Sequence, residues 1–190
     1  MTTPRMLAWS IHETAGFDAA WTTLDSLGRT LSASGRAIGQ RPGAYWLAYE
    51  LETDVDYVTR RMSVEARSDG GTTTLDLRRE ADHWTVNGEP RPDLDAALDC
   101  DLAGCPLTNT MPILRHRLNE GPGDRTLAMA FIQVPGLRVI RTEQRYRHLY
   151  RLPNGSAVVR YRSSGFEDDL TVDRDGFVLD YPKLGRRLEP

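Results

Sequence analysis

One strand-length segment holds most of the side chains able to recognise a polar ligand. If Arg141 to Leu152 is extended, Arg141, Glu143, Arg145, Arg147 and Arg151 project to one side, and Thr142, Gln144, Tyr146, His148 and Tyr150 to the other. A core-facing strand would carry Val, Ile and Leu on its buried side. An amide, phenols and an imidazole there point instead to a partly wet cavity wall formed by Gln144, Tyr146 and His148. Aromatic rings with hydrogen-bonding tips suit a sugar, whose apolar C–H faces are rimmed by hydroxyls. A solvent-facing strand with a ladder of charges accounts for the same pattern.

A second stretch, Cys100 to Leu118 (CDLAGCPLTNTMPILRHRL), fits no simple strand or helix period. Pro106 and Pro112 fence off Leu107 to Met111. Each proline fixes its own φ, lacks an N–H and pushes the preceding residue toward extended geometry. The expectation is a stiff, irregular loop in which Thr108, Asn109 and Thr110 hydrogen-bond backbone groups that a broken ladder leaves free.

Catalytic constellations are thin. The chain has no Gly-x-Ser-x-Gly elbow, His-Glu-x-x-His or Cys-x-x-Cys motif. Its four histidines are scattered, and Asp173-Arg174-Asp175-Gly176 opens like a calcium loop but lacks the later acidic ligands, so it reads as a turn. Cys100 and Cys105, without a second pair or nearby histidines, read as small buried thiols. No metal or other cofactor is called for. An enzyme would have to draw on His148 or on Glu167, Asp168 and Asp169.

The chain's 190 residues suit a single domain over residues 1–190, and the net charge of -3 supplies no field for polyanions, which argues against nucleic acid. Of the 24 basic residues Lys183 is the only lysine. The longest uninterrupted apolar run, Leu127 to Ile132, is far short of the roughly 20 residues that span a bilayer. The N-terminus has no basic segment followed by a long apolar run, so the expectation is a soluble cytoplasmic protein.

These side chains must be positioned by strands. Segments of alternating apolar and polar residues are separated by turn signals at Asp69-Gly70-Gly71, Asn87-Gly88, Pro135-Gly136, Pro153-Asn154-Gly155 and Asp175-Gly176. Phe17 to Leu27 satisfies both strand and helix spacing. Leu31 to Gly39, small and polar, reads as a flexible edge strand. Short turns between successive strands imply an antiparallel meander, and so long a meander must curl or close. The fold expected is mainly β: a strongly curved or incompletely closed antiparallel barrel with at most one or two short helices.

The TNTMPIL run following Asp101 and Pro106, with HWTVNG at 83–88, QRY at 144–146 and GFEDDLTVDRDGFVLDYP at 165–182, resembles the bacterial family of putative glycolipid-binding proteins. The first 80 residues add a fainter likeness, in a tryptophan-bearing first strand and YELETDVDYVTRRMSV. Where the family pattern has two adjacent arginines after Pro-Ile, Leu114 takes the first place, so only Arg115 carries over. The resemblance implies an open barrel like those of bacterial lipid and lipoprotein carriers, and an amphiphilic small molecule, such as a glycolipid, bound without catalysis. On that reading Asn109, Thr110 and Arg115 stand near the mouth of an apolar interior, with Trp84 as an aromatic platform. An enzyme acting on a small hydrophobic or sugar-bearing substrate and a scaffold offering a sheet edge are the other readings.

Overall fold

Alternating burial runs through the long segments of residues 4–189, the part that the computed structural model describes. The strands are β1 (Arg5–Ile11), β2 (Gly16–Asp25), β3 (Thr30–Gly39), β4 (Tyr45–Thr53), β5 (Thr59–Ser68), β6 (Gly71–Glu80), β7 (His83–Val86), β8 (Glu89–Pro90) and β9 (Asp99–Leu102). After a helix, α1 (Thr110–Arg115), follow β10 (Asp124–Ile132), β11 (Val139–Arg151), β12 (Ala157–Ser163), β13 (Phe166–Val172), β14 (Val178–Tyr181) and β15 (Gly185–Arg187). They form one sheet in the order β8-β7-β6-β5-β4-β3-β2-β1-β15-β14-β13-β12-β11-β10-β9. The expected meander therefore holds, with two refinements: β1 and β15 pair to seam its halves together, and β9 runs parallel to β10.

The sheet curls without closing into a ladder-bonded barrel. Beside edge strand β9 the gap is bridged by individual bonds. Thr59 N donates to Leu98 O at 3.0 Å, Cys100 N donates to Thr59 Oγ1 at 3.0 Å, and the Arg91 guanidinium reaches Val139 O at 3.3 Å.

A sheet this wide encloses more space than its own inward side chains fill. The middle of the Cys100–Leu118 stretch, Pro106 to Ile113, fills it, as a helical plug rather than as the irregular loop its prolines predict. Pro106 to Asn109 form a 3-10 turn that runs directly into α1, and every residue from Pro106 to Ile113 is buried. Both prolines lie in the first turn of their helical segments, where their N–H would have had no partner in any case. Met111 packs into the larger core under β1 to β7, whereas Ile113 belongs to a second core under β11 to β14, so this short helix joins the two.

One physical reason settles the open reading of Phe17 to Leu27 and corrects that of Leu31 to Gly39. Phe17 to Asp25 is strand, with Asp18, Ala20 and Thr22 facing in and Phe17 and Trp21 exposed. Leu31 to Gly39, far from being an edge, is hydrogen-bonded between β2 and β4. Gly35 and Gly39 stand opposite Tyr49 and Tyr45, and a methyl group added at Gly35 would sit 2.1 Å from the Tyr49 ring. Small residues on β2 and β3 thus make room for tyrosines reaching across from β4.

Candidate functional site

The side chains able to bind a polar ligand gather around Asp101, at the end of β9 nearest the plug. Thr108 Oγ1 donates to Asp101 Oδ1 at 2.8 Å, and Gln144 Nε2 donates to Oδ2 at 2.5 Å. The Tyr146 hydroxyl lies 2.9 Å from Gln144 Oε1 and 3.0 Å from Asn109 Oδ1, with its single proton shared between the two acceptors. Asn109 Nδ2 donates to Pro106 O, closing the network on the plug itself. Two residues upstream, Asp99 is held differently, by a two-point ion pair from the guanidinium of Arg115. Burial pushes the carboxyls of both Asp99 and Asp101 up from the usual range, and only Asp99 has a cation to offset it directly.

Beside this network lies a cavity of about 390 Å³, partly open to solvent. Asp101 to Cys105 and Asn109 form one bank, and β11 contributes Ile140 and Thr142. Tyr161 and Ser163 at the end of β12, Phe166 at the start of β13 and Tyr181 at the end of β14 form the other bank. The rings of Tyr161, Phe166 and Tyr181 meet one another edge to face, with centroids 5.9–6.1 Å apart. Glu13 stands exposed at the rim.

Of the residues singled out from sequence, Asn109 lines the cavity directly. Gln144 and Tyr146 sit immediately behind it, buried and holding Asp101 and Asn109. Thr110 is fully buried in the plug, and Arg115 clamps Asp99 instead of reaching a mouth. His148 is partly buried, with Nδ1 2.7 Å from Leu118 O, so it secures the end of the plug. Trp84 offers no platform: it is 1 % exposed in the larger core, its indole N–H donating to Ala97 O at 2.9 Å. The inward face expected for β11 holds through His148. There the register with β12 shifts, and Tyr150 turns outward.

The aromatic bank of Tyr161, Phe166 and Tyr181 escaped the sequence reading. Its signal was the inward phase Val159-Tyr161-Ser163 meeting Phe166 across a tight hairpin.

A second polar group is buried behind Cys105. Tyr49 Oη donates to Asp18 Oδ1 at 3.1 Å, and the Cys105 thiol lies 3.5 Å from the same hydroxyl. Burial raises the Asp18 carboxyl from 3.8 to about 7. The folded protein thus keeps a proton that the unfolded chain has already released. Stability from this group is greatest at the acid end and falls as pH rises from 3.8 to about 7, then levels off. Asp18→Asn should flatten that slope in urea melts taken at successive pH values. A slope unchanged in the variant would assign it to Asp99 and Asp101, which shift in the same direction.

The acidic residues that the sequence offered to an enzyme, Glu167 to Asp169, are engaged outside the cavity. Asp169 pairs with Arg160, Glu167 with Arg162, and Asp168 accepts from the backbone N–H of Lys183. Asp173 uses one carboxylate oxygen to accept from the N–H groups of Asp175 and Phe177, as a turn residue does. Among the described residues no group of three or more His, Cys, Asp or Glu side chains is placed to hold a metal, and no helix is long and apolar enough to cross a membrane.

Comparison with known proteins agrees with the architecture. A family model described as putative glycolipid-binding matches residues 6–187. The crystal structure of a DUF1089 family protein from Pseudomonas aeruginosa is 30% identical and superposes with a TM-score of 0.73, covering 91% of this chain and 92% of that one. No curated protein matches.

Proposed function

Because the chain belongs to the putative glycolipid-binding family, we propose that its cavity receives the sugar-bearing end of an amphiphile and holds it without chemical conversion. The observation that carries this reading is the cavity lining: the edge-to-face rings of Tyr161, Phe166 and Tyr181 stand across from the polar groups of Thr142, Asn109 and Asp101. Rings suit the C–H faces of a pyranose, and the polar bank suits its hydroxyls. The volume lies near the low end of the roughly 300–1,000 Å³ usual for ligand sites. It suits a head group rather than a long acyl chain, because the plug occupies the remaining interior. Gln144 and Tyr146 act on the ligand through Asp101 and Asn109, by fixing their orientation.

Octyl glucoside, titrated below its micelle concentration and followed by calorimetry, tests the proposal. Binding should be saturable, and Thr142→Phe, which fills the cavity from β11, should weaken it at least tenfold with the melting temperature little changed. Trp21→Ser, on the outer face of β2, should leave it unaltered. Equal affinity in all three proteins would remove the cavity from the account.

A further inference from the structure

We infer that the cavity selects heads without negative charge, favouring an amine-bearing sugar over a neutral one and rejecting phosphorylated or carboxylated heads. The inference rests on the binding reading above and adds the charge of the ligand.

Among the described residues no lysine, arginine or histidine lines the cavity; its charged members are Glu13 at the rim and Asp101 within. This is notable in a chain with 24 basic residues. The arginines of the adjacent strands are committed to the outer face, where Arg145 pairs with Asp124, Arg160 with Asp169 and Arg162 with Glu167. The nearest cations are also engaged. Lys183 Nζ lies over the Phe166 ring and donates to Glu167 O. Arg41, in a neighbouring hollow beyond Gly104, donates to His12 O at 2.6 Å.

Within the cavity, both Asp101 oxygens accept hydrogen bonds from neutral groups, Thr108 and Gln144, while the guanidinium of Arg115 is taken by Asp99. A carboxylate in that position is short of positive charge, in keeping with the upward push on its carboxyl. An incoming ammonium supplies the missing charge. An incoming phosphate or carboxylate would lose its water beside a like charge with no cation in the lining to receive it. Thr142 Oγ1, buried in the cavity wall without a hydrogen-bond partner, adds a polar contact for any ligand head but no preference between charges, which is left to Asp101 and Glu13.

Three glycosides with the same octyl tail separate the possibilities: octyl glucoside, octyl glucosaminide and octyl glucuronide, compared by calorimetry at pH 7. The glucosaminide should bind several-fold tighter than the glucoside, and the glucuronide at least tenfold weaker. Asp101→Asn should erase the advantage of the amine and narrow the penalty on the acid. Glu13→Gln, on an exposed turn where the fold is not at risk, should reduce the amine's advantage in part. Glucuronide binding as tight as glucoside binding overturns the charge inference and leaves the binding function standing. Failure of all three to bind overturns both.

Discussion

Arg115→Met is expected to destabilise the protein by about 3–5 kcal/mol, read from the shift in its urea midpoint. Arg115 closes the last turn of α1, and its guanidinium makes a two-point contact with Asp99 where both side chains are nearly inaccessible, at 8% and 1% exposure. Without the guanidinium, Asp99 must stay charged among apolar neighbours or take up a proton. Burial has already shifted its carboxyl in that direction. The bond also ties the plug to β9, an edge strand whose only ladder partner is β10. Against a total of about 5–15 kcal/mol for an ordinary domain, the loss is a large fraction. The double variant Asp99→Leu, Arg115→Met should recover much of it, since replacing both partners of a buried pair leaves no orphaned charge. If the single variant loses less than 1 kcal/mol, the pair is not the fastening described.

Trp84→Ala should cost a comparable amount, about 3–5 kcal/mol, for a different reason. The indole fills the larger core in company with Leu77, Leu94 and Ala97, and its N–H satisfies Ala97 O. Truncation opens a void that neighbours on three elements cannot all collapse into. Trp84→Phe keeps most of the bulk and should cost clearly less, the remainder reflecting the lost hydrogen bond at about 1 kcal/mol. Because Trp84 lies outside the cavity, protein kept folded at low temperature should bind octyl glucoside as the parent does. Weakened binding under those conditions would return Trp84 to the site.

The strand boundaries were legible because turn chemistry is local. Asp69-Gly70-Gly71 joins β5 to β6, Asn87-Gly88 joins β7 to β8, and Asp175-Gly176 lies between β13 and β14. The proline-rich plug and the inward phase of β2 were not legible, because what decides them is far away in sequence. Asp18 faces inward because Tyr49 reaches it across Gly35, and Phe17 and Trp21 are left outside as a result. Pro106 and Pro112 are compatible with helical turns because each falls in a first turn, but the interior space those turns fill is set by the distant strands. The site was half legible for the same reason. Gln144, Tyr146 and Asn109 share one network, as the alternation on β11 hinted. Trp84 and Arg115 were placed at that site on the family resemblance, whereas tertiary packing assigns them to structural duties.

The β1–β15 seam sets an order of events. Strands β1 to β8 and β10 to β14 can each zip up through neighbouring hairpins, as soon as those residues leave the ribosome. Trp9, however, finds its place only when Arg187 arrives opposite it and Val178 O accepts its indole proton. Contacts so distant along the chain are slow to form, so the two half-sheets should collapse early and lock together late, with the outer edge of the first strand open in the interval.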